Sequence, residues 1–164
     1  MTYAHHHLRF LAPRRRGIAR CCDPAGGKRA GTIPPPKTTG QILYVPVYSH
    51  IYSGDRERPV YLAATCSIRN TDSSRAIRLL QVDYLNSEGK LVRRYLDHPV
   101  ELGPMASTRY IVGESDKAGG SGANFIVRWE ATSPVSPPIA EGIMISTASQ
   151  LGISFTSRAR VIPD

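Results

Sequence analysis

VYLAATCSIRN, residues 60–70, alternates without a break: Leu62, Ala64, Cys66 and Ile68 fall on one side, and Tyr61, Thr65, Ser67 and Arg69 on the other. A period of two residues is that of an extended strand with one buried face. The same rhythm recurs on both sides of this stretch. ILYVPVYSHIY (42–52) is β-branched and aromatic, and Pro46 predicts an edge position or a bulge for it. After the polar GDRERP loop and the 60–70 strand, AIRLLQVDYL (76–85) sets Leu80, Val82 and Tyr84 on one face. NSEGK (86–90) reads as a hairpin turn with Gly89 at positive φ, and LVRRYLD (91–97) as its return strand. PVELGPMASTRYIV (99–112) turns a Leu-Gly-Pro corner and then alternates through Thr108, Tyr110 and Val112. NFIVRWEA (124–131) points Phe125, Val127 and Trp129 inward, SPVSPP (133–138) is a proline turn, and IAEGIMIS (139–146) is a further strand. GISFTSRARVI (152–162) places Ile153, Phe155, Ala159 and Val161 on one face.

No stretch carries a 3.6-residue apolar period with helix caps. The predicted fold is therefore all-β: a single Ig-like or fibronectin-like sandwich of seven to eight antiparallel strands. It lacks the Ig disulfide, because Cys66 has no cysteine partner near Val127 or Trp129. Cys66 reads as a small buried hydrophobe.

The 164 residues suffice for one domain of ordinary size. The net charge of +8 is unevenly spread. Residues 1–39 hold eight Lys/Arg against one acid, Asp23, a net +7, while residues 40–164 are nearly neutral. The division predicts a disordered, basic, Pro/Gly-rich extension over 1–39 and a β-sandwich domain over 40–164. Pro34-Pro35-Pro36 makes a semi-rigid linker before the domain. A basic arm can bind an anionic polymer or a membrane surface, or simply be solvated. No run has the length of a transmembrane helix. Arg14-Arg15-Arg16 has no apolar stretch after it, so either the chain is not exported or its start is misassigned. The adjacent Cys21 and Cys22 are poor partners for each other. No CxxC motif implies a zinc site, and His5-His6-His7 on a loose tail would bind metal only weakly.

ESDKAGGSGANF, residues 114–125, is the segment richest in possible chemistry. No Lys-Ser/Thr follows its glycines and a strand comes next, which excludes a P-loop. The dinucleotide fingerprint fails at its last glycine and has no helix to open. Gly119-Gly120-Ser121-Gly122-Ala123 approximates a nucleophile elbow, with His50 or His98 as a base, but the elbow requires a strand-to-helix turn. The Asp-x-Asp pattern of a calcium loop is missing. What remains is a glycine-rich connection, or a loop binding a ligand or partner through Glu114, Ser115, Asp116, Gly119, Gly120, Ser121, Gly122 and Asn124. Arg128, Arg158 and Arg160 point outward and could form an anion-binding face. The inward aromatics and the neutral domain argue against nucleic acid.

LYVPVYSHIYSGDRERPVYLAATCSIRNTD, VDYLNSEGKLVRRYL, ASTRYIV, GGSGANFIVRWEA and EGIMISTASQLGISFTSR together resemble a bacterial protein family of unknown function, the domain of unknown function 3124. The resemblance runs from about Gln41 to about Ile162. It implies a small domain often preceded by an export or lipoprotein signal, hence the periplasm or envelope, although residues 1–39 carry no lipobox ending in Cys21 or Cys22. It supplies no catalytic residues.

The reading is a non-enzymatic envelope module that binds an unknown protein or small ligand, with no cofactor and no metal. The rival is a hydrolase built on Ser121, or a metal-dependent enzyme built on His50 and His98.

Overall fold

The computed structural model describes residues 35–55, 57–147 and 152–163. The predicted tail, with Cys21, Cys22 and the histidine triplet, lies outside them, apart from its last residues. Residues Pro34–Asp164 form one compact unit. No helix among the described residues is long and apolar enough to cross a membrane.

Every one of the eight runs is strand, and four of them break in two, giving twelve strands among the described residues. They are β1 (Thr38–Pro46), β2 (His50–Ser53), β3 (Arg58–Tyr61), β4 (Ala63–Arg69), β5 (Ile77–Leu85), β6 (Leu91–Arg94), β7 (Val100–Leu102), β8 (Ser107–Val112), β9 (Asn124–Val135), β10 (Ile139–Ser146), β11 (Ile153–Arg158) and β12 (Arg160–Ile162). A six-stranded antiparallel sheet has the order β12-β1-β9-β5-β6, with β7 also on β5. A four-stranded sheet has the order β11-β10-β4-β8, and β2 and β3 form a separate hairpin.

The core lies between the inner faces of the two larger sheets. Leu62, Ala64, Cys66 and Ile68 from the opening stretch are all buried, as are Phe125, Val127 and Trp129 from β9. Burial pushes the Cys66 thiol up to about 12, so it packs as a neutral side chain. Gly89 takes the expected positive φ of 74°.

Four local expectations change. Leu79, not Leu80, is the core residue, because a bulge between Leu79 and Gln81 reverses the faces within β5. Ile77 and Leu79 point inward before it, and Val82 and Tyr84 after it. Pro46 sits on neither an edge nor a bulge. It ends β1, an interior strand, beyond the reach of β12, which pairs with Ile42, Leu43 and Tyr44. The proline turn begins later than residue 133, since β9 continues to Val135. Pro134 falls in the irregular stretch of the β1–β9 ladder, where its missing N–H leaves no bond unmade. Val161 is 59% exposed rather than inward. At Ala159 the chain leaves β11 in one sheet and enters β12 in the other, so the alternation of residues 152–162 does not describe one face.

Candidate functional site

The glycine-rich segment sits at the end of the domain where β1 finishes and β9 starts. It is stitched into the fold on two sides. The Gly120 and Ala123 carbonyls accept from Ser49 N–H at 3.0 Å and Val47 N–H at 2.9 Å. The Gly119 carbonyl accepts from Ser87 N–H at 2.9 Å and Ser87 Oγ at 3.1 Å, and Gly122 N–H donates to Ser87 Oγ at 2.9 Å. Gly119 is packed against the buried Ser49–Tyr84 hydroxyl pair, whose oxygens are 2.7 Å apart. A Cβ on Gly119 would stand 1.8 Å from Tyr84 Oη. The glycines let a backbone lie directly on that pair.

The polar residues of the segment do not converge. Asp116 pairs with Arg93 at 3.2 Å and accepts from Ala118 N–H at 3.1 Å. Glu114 and Ser121 are half-buried and Ser115 is exposed. Asn124 is buried, with its Oδ1 unpartnered. His50 Nε2 lies 3.2 Å from Tyr52 Oη, and its ring meets Tyr52 and Tyr61 edge-on. His98 is exposed beyond β6. Among the described residues no hydrogen bond joins Ser121 to either histidine, and no group of three His, Cys, Asp or Glu gathers as metal ligands.

The three outward arginines stand on two sheets. Arg128 lies on β9 and Arg160 on β12, the latter opposite Tyr44, while Arg158 is on β11 opposite Glu141.

The opposite end of the domain is built differently. Asn70 Nδ2 donates to the carbonyls of Arg75, Leu102 and Gly103 at 2.8, 3.2 and 2.9 Å. The Asp72 carboxylate accepts from Ser74 N–H, Arg75 N–H and Ser136 N–H at 3.0, 3.0 and 3.2 Å, and from Ser74 Oγ at 3.1 Å. The backbone N–H groups of Ser74 and Ser136 lead in holding its carboxyl down at about 2. Thr71 Oγ1 ties the same turn to the Pro137 carbonyl at 2.9 Å. Three loops are thereby fixed together: residues 70–75, the 103–106 corner and the 136–138 turn.

Beside this frame opens a pocket of about 460 Å³. Pro35, Pro137, Pro138, Leu43 and Val161 supply apolar walls, and Glu141 and Arg158 are among its polar residues. Gln41 also lines it. In β1, Gln41 shares the inner face with Leu43 and Val45, directly across from Trp129 of β9. Gln41 Oε1 and Trp129 Nε1 are both buried, and neither has a hydrogen-bond partner. Directly opposed residues hold their Cβ atoms about 5 Å apart. An unsatisfied acceptor and an unsatisfied donor thus occupy neighbouring inward positions, and the acceptor's residue, Gln41, lines the pocket. The sequence carries a signal for this: Gln41 is the polar residue at an inward position of the Leu43–Val45–Val47 alternation. The strand reading that starts at Ile42 passes over it.

No curated protein matches the chain. A crystal structure of a Thermotoga maritima protein, described as 1070, is similar at 16% identity, covering 73% of this chain and 92% of that one, with a TM-score of 0.42. Residues 40–162 match a family described as protein of unknown function (DUF3124). That match spans nearly all of the folded unit, and the chain belongs to this family.

Proposed function

We propose that the domain is a non-enzymatic binding module of the bacterial envelope, and that its ligand enters the proline-end pocket. The observation that carries this is the unpartnered acceptor Gln41 Oε1, on a residue that lines a pocket of about 460 Å³. Buried polar atoms are nearly always satisfied in folded proteins, and an orphan costs about 1–3 kcal/mol. A ligand that donates to Gln41 Oε1 recovers that cost. Its chemistry follows: a compact apolar body carrying one hydrogen-bond donor, an amide or a hydroxyl. Among the described residues, the pocket lining holds no histidine, serine or cysteine, which favours holding a ligand over breaking its bonds. The envelope setting rests on the family resemblance.

Trp129 is the chain's single tryptophan, so its fluorescence reports on this site. Benzamide and benzyl alcohol should shift Trp129 emission and raise Tm, whereas toluene should do so far less. Gln41→Met removes the orphan acceptor at similar volume. It should stabilise the free protein by about 1 kcal/mol and erase the preference for the polar probes. Equal responses to all three probes, or a preference unchanged by Gln41→Met, would sink the assignment.

A further inference from the structure

Among the described residues, strand β8 ends the four-stranded sheet and pairs only with β4. Two hydrogen bonds fix the direction of its backbone groups. Asn70 N–H, just beyond β4, donates to the Ala106 carbonyl at 2.9 Å. That bond keeps the register of Ile68 opposite Thr108 and Cys66 opposite Tyr110. In a strand, the N–H and C=O of one residue point to one side and those of the next to the other. Ala106, Thr108 and Tyr110 therefore face β4, and Ser107, Arg109 and Ile111 face away from the sheet. Tyr95 Oη agrees with this sense, donating to the Ile111 carbonyl at 2.8 Å. The N–H groups of Ser107, Arg109 and Ile111, and the carbonyls of Ser107 and Arg109, have no partner among the described residues.

Such an edge is normally blunted by shortness, a proline, a bulge or a cover. β8 has six residues, no proline and an unbroken register with β4. The edges at β6, β7 and β12 have only four, three and three residues. β11 matches β8 in length, but its Ser157 Oγ is bonded to the Pro46 carbonyl of β1. Alongside β8 runs a groove of about 410 Å³, lined by Tyr95 and by Ser107 through Ile111. The Tyr95 and Tyr110 rings, 5.4 Å apart and edge-to-face, form its aromatic side. On the outer face Ile111 is exposed, and Arg69 is in register with Ser107. No carboxylate pairs with Arg69 or Arg109 among the described residues.

We propose that β8 is a docking edge for an extended acidic segment of a partner protein, which adds a fifth strand to this sheet. Its main chain bonds to Ser107, Arg109 and Ile111, an Asp or Glu lies opposite Arg109, and an aliphatic side chain lies beside Ile111. Charge selects this occupant over a second copy of the chain. Self-pairing centred on β8 would set Arg109 against Arg109, and like charges directly opposite are unfavourable. The inference is independent of the proline-end pocket.

The test uses the full chain, amide hydrogen exchange read by NMR, and two blocked peptides: Ser-Val-Thr-Glu-Thr-Val-Ser and the same sequence with Lys for Glu. Alone, the amides of Ser107, Arg109 and Ile111 should exchange quickly, and those of Thr108 and Tyr110 slowly. The Glu peptide should slow the first three and leave the rest unchanged. Arg109→Glu keeps the backbone donor and should reverse the preference, with the Lys peptide then favoured by about tenfold, the effect of exchanging a matched for a mismatched charge pair. Arg109→Pro deletes the central donor on a side where β4 loses no bond, and should abolish binding of both peptides. The proposal is overturned if neither peptide protects the three amides, or if both protect them equally. It is also overturned if raising the protein concentration alone protects them, which would make the occupant a second copy.

Discussion

Gly119 marks the point where one missing methyl group decides whether an end of the domain closes. The Ser49–Tyr84 hydroxyl pair lies under it, and Tyr84 is fully buried. Gly119→Ala would drive a Cβ to 1.8 Å from Tyr84 Oη and 2.6 Å from Ser49 Oγ. Overpacking of this kind costs about 1–3 kcal/mol, and denaturant melts should show a loss in that range. Tyr84→Phe in the same background removes the nearest atom, so the double variant should be more stable than the sum of the single losses. Strict additivity would mean that the segment moves aside and the glycine is not needed for this contact. The glycine-rich composition that suggests a phosphate cradle or a nucleophile elbow in the sequence is thus accounted for by close packing.

At the scale of elements, the proline end depends on a single carboxylate. Asp72 joins the β4–β5 turn to the β9–β10 turn through Ser136. Its folded pKa of about 2 lies below the ordinary value of 3.8. A group with a depressed folded pKa stabilises the protein above its unfolded pKa, and loses that contribution as pH falls through the folded value. Between about pH 4 and pH 2 the proline end should therefore loosen, seen as increased exchange at Ser74, Arg75 and Ser136. Asp72→Asn should remove this part of the acid dependence; an unchanged acid limb would refute the role. This pin and the pocket beside it were poorly legible in the sequence. NTDSSR reads as a turn, but nothing local says that its carboxylate reaches a residue 64 positions away. The strands themselves were legible, because period-two burial is a local property of half-buried segments. The bulge at Leu80 and the crossing at Ala159 were not, because each depends on which neighbour the strand meets.

At the scale of the molecule, the two larger sheets share one core, and the chain passes between them repeatedly, most abruptly from β11 into β12. Inner side chains from both, Met144 and Ala64 on one and Val127 and Leu79 on the other, belong to the same buried cluster. Neither sheet can keep that cluster dry alone. Thermal unfolding should be one transition, with Trp129 fluorescence and far-UV circular dichroism coincident. Separate midpoints would show that the sheets melt independently. The crossing at Ala159 also bears on how the chain is made. β11 completes one sheet and β12 the other, and both come after every other described strand in chain order. β1, the first described strand, waits for β12 on one side and β9 on the other. Until β11 and β12 have emerged, the nascent chain exposes unpaired edges and an uncovered interior, a state open to aggregation. A nascent chain arrested before β11 leaves the ribosome would display this domain unfolded, and emergence of β11 and β12 would be the event that permits closure.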